Sequence, residues 1–148
     1  MTTDLSISDT IIASLSRDPR IPDAGLIAVE AERGIVTLRG TVESFSQRRA
    51  AEEDARKLEG VYEVDNRLKV DLMGRDRRED HEIRGAALQT LMWDTDVPAD
   101  SIDVNVHNGW VTLIGDVRHQ YQSNAAYEDV ARLYGVVDVT NEIRVNAL

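Results

Sequence analysis

Gly34-Ile35-Val36-Thr37-Leu38-Arg39-Gly40-Thr41-Val42 returns later in the chain as Gly109-Trp110-Val111-Thr112-Leu113-Ile114-Gly115-Asp116-Val117. The same offset of 75 carries Gly60-Val61-Tyr62-Glu63-Val64-Asp65-Asn66 onto Gly135-Val136-Val137-Asp138-Val139-Thr140-Asn141. Between these blocks Ala50-Ala51 and Glu53-Asp54 match Ala125-Ala126 and Glu128-Asp129. Upstream the offset is 76, pairing Ile7, Leu15, Asp18 and Pro22 with Ile83, Leu91, Asp94 and Pro98. A collinear match of this length reads as one supersecondary unit present twice.

Each copy predicts helix, strand, strand, helix, strand. Ile7, Ile11, Ile12 and Leu15 fall at helical spacing, with Ser6 as the predicted N-cap and Pro19 and Pro22 as the stop. Ile27, Val29 and Ala31 alternate with Ala28, Glu30 and Glu32, the pattern of a half-buried strand. Arg33-Gly34 turns the chain, and the second copy has Asn108-Gly109 there, the pair that favours a type I′ hairpin. The returning strand buries Val36 and Leu38, or Val111 and Leu113. Ser44-x-x-Gln47 predicts a capping box for the second helix, whose Ala51, Ala55 and Leu58 share a face. Ala126, Val130 and Leu133 are the counterparts. Gly60 and Gly135 are read as C′ glycines. The last strand alternates Val64, Asn66, Leu68 and Val70, mirrored by Val139, Asn141, Ile143 and Val145. A strand-helix-strand crossover makes it parallel to the hairpin's second strand. The predicted fold is therefore α+β: two tandem α-β-β-α-β modules, each a mixed three-stranded sheet with two helices on one face. The modules are expected over residues 5–72 and 81–148, joined by a charged linker at 73–80.

Composition bounds the function. The 148 residues carry 17 basic and 27 acidic side chains, a formal net charge of −10. Divided at Gly74, the first part has 10 basic and 14 acidic residues (10 − 14 = −4) and the rest 7 and 13 (7 − 13 = −6). Neither half is basic, which disfavours nucleic acid as a partner. There is no cysteine, so thiolate chemistry, thiolate metal sites and disulfides are excluded. The start of the chain lacks a charged n-region and an apolar h-region, no transmembrane-length run occurs and no lipidation cysteine exists. The expected compartment is the cytoplasm.

The ordered set Gly-x-Val-Thr-Leu-x-Gly-x-Val, an Ala-rich helix, then Gly-Val-x-x-Val-x-Asn-x-x-x-Val closely resembles the BON domain (bacterial OsmY and nodulation). Both copies match, and together they cover about residues 5–146. The resemblance implies an α-β-β-α-β fold and a non-enzymatic role. Members of that family include hyperosmotically inducible periplasmic proteins, outer-membrane lipoproteins that bind phospholipid, and a cytoplasmic potassium-binding protein. The resemblance carries over no ligand set.

Several residues are candidates for a binding site. Ile83, Ala87, Leu88 and Leu91 account for the buried stripe of the second module's first helix, which leaves Met92 and Trp93 as surplus apolar surface. They read either as a lipid-inserting or partner-binding tip, or as packing against neighbouring structure. Trp110 stands where the first module has Ile35, and with Ile114 it points away from Val111 and Leu113. Such unpaired sheet faces offer a surface for a protein partner or for homo-oligomerisation. Asp94, Asp96, Asp100 and Asp103 crowd one loop, and the first three are weak candidates for a cation. Read as an EF-hand from Asp94, the loop has Pro98 at position 5 and lacks the glycine and the terminal Glu. Potassium held by backbone carbonyls would leave no side-chain pattern. Arg75, Arg77 and Arg78 alternate with acidic residues and read as a solvated linker. His81, His107 and His119 have no metal-ligand spacing. Glu52-Glu53-Asp54 reads as the polar side of a helix and not as acid-base chemistry. The leading expectation is a binding protein that docks on a phospholipid surface or a macromolecular partner, in stress physiology. A cytoplasmic potassium or small-cation binder is the alternative, with no other cofactor expected. An enzyme is the least expected class.

Overall fold

The computed structural model describes residues 4–72 and 77–146. The chain divides after Asp71 into two compact units. The first contains α1 (Asp4–Arg17), β1 (Ile27–Glu32), β2 (Ile35–Val42), α2 (Phe45–Arg56) and β3 (Glu63–Val70). The second contains α3 (Asp80–Trp93), β4 (Ile102–His107), β5 (Trp110–Val117), α4 (Gln120–Ala131) and β6 (Asp138–Val145). Each is the predicted α+β module. β1 pairs antiparallel with β2 and β3 pairs parallel with β2, and the second sheet repeats this as β4-β5-β6.

Alternation along the strands decides which side of each sheet meets the helices. Val36 and Leu38 of β2, with Val111 and Leu113 of β5, are wholly buried. Over them lie Ile7, Ile11 and Leu15 of α1 with Ala51 and Ala55 of α2, or Ile83, Ala87 and Leu91 of α3 with Ala126 and Val130 of α4. Each such large aliphatic side chain contributes on the order of 2 kcal/mol by leaving water. The opposite face of each sheet is left open by its own helices.

Both hairpin turns have left-handed backbone at both central residues: φ is 53° and 81° at Arg33-Gly34 and 49° and 80° at Asn108-Gly109. This is the type I′ geometry whose twist matches the flanking strands. The Asp80 carboxylate, at the first turn of α3, accepts from the backbone N–H of Asn108 at 2.9 Å and of Gly109 at 3.0 Å. The carbonyls of Gly34 and Gly109 accept from the N–H groups of Tyr62 and Val137, so the chain returning from each crossover helix is tied to the same turn.

Local details depart from the sequence reading. α1 already includes Asp4, so Ser6 lies inside the helix rather than capping it. Ile12 faces outward at 45% exposed, because the 3.6-residue period turns it off the Ile7-Ile11-Leu15 stripe. Ser44 does cap α2, accepting from Gln47 N–H, but the Gln47 side chain reaches back one residue further, to Glu43 N–H. α2 and α4 end at Arg56 and Ala131, short of Gly60 and Gly135. Those glycines keep the positive φ expected of them, 96° and 88°, in the turn beyond the helix. Met73, Gly74, Arg75 and Asp76 of the expected linker lie outside the described residues. Arg78 is not simply solvated, since its guanidinium donates to the Tyr134 carbonyl at 3.5 Å.

Gly115 has φ of 153°, and a Cβ there would collide with the Ser101 carbonyl. Gly85, within α3, has open space around it. Gly115→Ala is therefore expected to lose roughly 3 kcal/mol of stability from backbone strain and collision. Gly85→Ala should gain roughly 0.5–1 kcal/mol from reduced unfolded-chain entropy. Urea denaturation of the two variants measures both signs.

Candidate functional site

β5 alternates Val111 and Leu113 inward with Trp110, Thr112 and Ile114 outward. On the open face the strand register sets Trp110 between His107 and Asp138, Thr112 between Asn105 and Thr140, and Ile114 between Asp103 and Glu142. Trp110 is 49% and Ile114 40% exposed. The indole Nε1–H donates to Thr140 Oγ1 at 2.6 Å, which fixes the ring across the strand pair. Beside it is a shallow hollow of about 470 Å³, lined by His107, Asn108, Trp110, Thr112, Val137, Thr140 and Glu142. The first module's open face is more polar: Glu30, Glu32, Glu63 and Asp65 occupy one end, and Arg39, Arg67 and Lys69 the other.

Met92 and Trp93 end α3 and are 68% and 73% exposed. They do not join Trp110. The first residue of α3 is bonded to the Asn108-Gly109 turn that leads into Trp110. A 14-residue helix then carries the chain about 20 Å to Trp93. The Met92-Trp93 tip and the Trp110-Ile114 face are thus separate apolar features of the second module, which also exposes Tyr121 and Tyr134. The first module also exposes apolar surface, at Leu5, Ile12, Leu26, Ile35 and Tyr62.

The aspartate-rich loop does not converge on a cation. Asp94 accepts from the N–H of Asp96, and Asp103 accepts from the N–H of Val104 and from Arg84. Asp100 is exposed in a short 3-10 turn. Among the described residues no three His, Cys, Asp or Glu side chains are grouped to hold a metal ion.

The structure instead pairs carboxyl groups that the sequence reading kept apart. Asp94 meets Asp129 of α4, and at the equivalent place in the first module Asp18 meets Asp54 of α2. Asp54 therefore does not belong to a purely solvated polar face. Burial, then the neighbouring Asp18, pushes Asp54 up to about 6. Burial, then Asp94, pushes Asp129 up to about 7. The outer members go the other way: the Arg20 guanidinium holds Asp18 well below the usual carboxylate range, and the hydrogen bond with Asp129 lowers Asp94. Asp54 Oδ2 and Asp129 Oδ2 are buried with no hydrogen-bond partner while all four groups are ionised. One proton per pair supplies the missing hydrogen bond, since like charges this close resist joint ionisation. Arg20 bridges Asp18, Glu53 and Asp54 at 2.9, 2.9 and 3.4 Å. Its counterpart at an offset of 76 is Asp96, so the second pair lacks that cation, and Arg132 is the positive charge that acts on it. The repeat alignment contained the signal, an aspartate at both positions of both copies.

These shifts set a pH dependence. An aspartate whose folded pKa is raised contributes a penalty that grows from about pH 4, where the unfolded chain ionises, to its folded value. For Asp129 that window closes near 7. Asp94, held low, stays charged throughout it. Asp129→Asn keeps the hydrogen bond without the charge and is expected to melt higher than the parent protein near pH 8 but not near pH 5. Equal destabilisation at both pH values would contradict the shared proton.

A family profile that matches twice agrees with the duplicated fold. The profile of the BON domain family matches residues 3–71 and 79–147. The chain is 33% identical over 127 residues to osmotically-inducible protein Y of Escherichia coli (strain K12), covering 80% of this chain and 61% of that protein. It thus spans less than two thirds of that relative's length. Two solved structures of CdsD, a structural protein of the type III secretion system of Chlamydia trachomatis, overlap 97% and 98% of this chain. They do so at 15% and 16% identity with TM-scores of 0.40 and 0.41, over 67% and 64% of their own length.

Proposed function

The chain belongs to the BON domain family, and from that premise we propose that it is a non-enzymatic binding protein that docks on a phospholipid surface through the end of α3. The observation that carries this reading is the consecutive pair Met92 and Trp93, 68% and 73% exposed at a helix end. Tryptophan gains from a boundary where one edge of the ring is apolar and the other wet. Charge selects the lipid. A net charge of −10, with Asp94 and Asp96 just beyond the tryptophan, opposes an anionic surface and leaves zwitterionic headgroups as the better match. Among the described residues no helix is long and apolar enough to cross a membrane. The name of the Escherichia coli relative supports a setting in osmotic stress.

The Trp110 face supports a second reading, a protein partner. Its anchored indole and neighbouring hollow suit a partner's apolar side chain better than a fluid lipid.

Flotation with phosphatidylcholine vesicles separates the two. The chain has two tryptophans, so Trp110→Phe leaves Trp93 as the sole indole reporter. Co-flotation with a blue shift of Trp93 emission is expected, and Trp93→Ala should weaken binding about tenfold or more. Failure to float in either protein overturns the lipid reading. Flotation that survives Trp93→Ala but not Trp110→Ala moves the contact to the open sheet face.

A further inference from the structure

The two modules differ at the free edge of their parallel strand. In the first, Arg48 of α2 donates from Nε to the Leu68 carbonyl and from Nη2 to the Asn66 carbonyl, both at 3.1 Å, so the outward carbonyls of β3 are clamped. Phe45 is buried at the start of α2, and Leu68 is 4% exposed. In the second module the equivalent positions are Ser123 and Gln120. Ser123 Oγ accepts from Asn141 Nδ2 at 2.9 Å, and a serine side chain is too short to span the outward carbonyls of Asn141 and Ile143 as Arg48 spans theirs. Asn141 becomes exposed, Ile143 half-buried and Val145 38% exposed. The outward N–H groups of Val139 and Ile143 are held by local side chains, Asp138 and Asn141. An unclamped edge of this kind is a template for another strand.

We propose that β6 is a homodimerisation edge, pairing antiparallel with β6 of a second copy about a two-fold axis through Asn141. The proposal goes beyond lipid docking and uses neither Trp93 nor Trp110. Side-chain parity limits the pairings that use the whole strand to two. An axis through Glu142 sets that carboxylate against its own copy. An axis through Asn141 sets Val139 against the partner's Ile143, and on the open face Asp138 against the partner's Arg144, both twice by symmetry. Opposite charges directly across strands stabilise, and like charges destabilise. The exchange is local: the Val139 and Ile143 N–H groups leave their own side chains for the partner's carbonyls, and two three-stranded sheets become one of six. β1 also has an edge without an arginine clamp, but an axis through Glu30 sets that carboxylate against its own copy, and an axis through Val29 sets Glu30 against Ala28, with no opposite-charge pair across the seam. β4 is held by Arg84 Nε on the Val104 carbonyl at 2.9 Å.

Light scattering on the full chain over a micromolar dilution series, with salt enough to screen the net charge, tests the proposal. The expected mass is twice 16.5 kDa at high concentration, falling to 16.5 kDa on dilution. Asp138→Arg alone and Arg144→Asp alone should each give monomer, since each faces like charges. An equimolar mixture of the two should recover the dimer, because the arginine introduced in one copy then meets the aspartate introduced in the other. Recovery also shows that both variants fold. A separate variant, Gln120→Phe with Ser123→Arg, rebuilds the first module's clamp and should be monomeric while melting at least as high as the parent. Monomer at every concentration, failure of the mixture to recover, or dimers indifferent to the clamp would overturn the proposal. A dimer lost on Trp110→Ala but not on charge reversal would place the contact on the open face and overturn it equally.

Discussion

Two consecutive residues with positive φ hold each module in register. The type I′ turn at Arg33-Gly34, or Asn108-Gly109, fixes which residues of the hairpin lie opposite one another, and a slip of one would turn the inward side chains of the slipped strand to solvent. The turn is also where three segments meet. The first helix reaches it through Asp80, whose carboxyl those two N–H groups lower, or in the first module through Asp4 on Arg33 N–H. The crossover returns to it through Val137 or Tyr62. Helix, hairpin and parallel strand are therefore positioned from one point, and the burial of Val111, Leu113 and Ile83 follows from that placement.

The open face, the α3 tip and the carboxyl pairs hang from this frame in different ways. Trp110 is the first residue after the turn, so its orientation is set by strand parity and its ring by Thr140. Met92 and Trp93 stand at the far end of a helix pinned at its start. The carboxyl pairs link the end of the first helix to the crossover helix in each module. Their charged surroundings differ, with Arg20 bridging the first pair where the second copy has Asp96. A duplicated scaffold thus carries unlike local chemistry in its two halves.

Period and turn chemistry made the elements, the sheet order and the buried stripes legible from the chain alone, because each was written twice and both copies agreed. Helix ends were less legible. Ser6 looks like a cap, but Asp4 already lies within the helix, and Gly60 has the backbone of a C′ residue at a place the helix does not reach. Asp54 and Asp129 were hidden because a helical wheel marks them as polar without saying that a loop folds over them. The clamp of Arg48 was equally hidden, since a guanidinium on the polar side of a helix gives no sign of the strand edge within its reach.

The unlike clamps bear on how such a chain matures. A polypeptide that carries the same strand set twice can marry a strand from one repeat to the hairpin of the other while it is still being made, and tandem repeats misassemble in this way. Here β3 is recognised by an arginine that only its own crossover helix supplies, and β4 by an arginine that only its own leading helix supplies. A β3 placed beside β5 would lose both of the Arg48 bonds. The divergence of these few positions therefore gives β3 and β4 each an arginine partner within its own module, so an exchange of strands between the repeats would forfeit those hydrogen bonds.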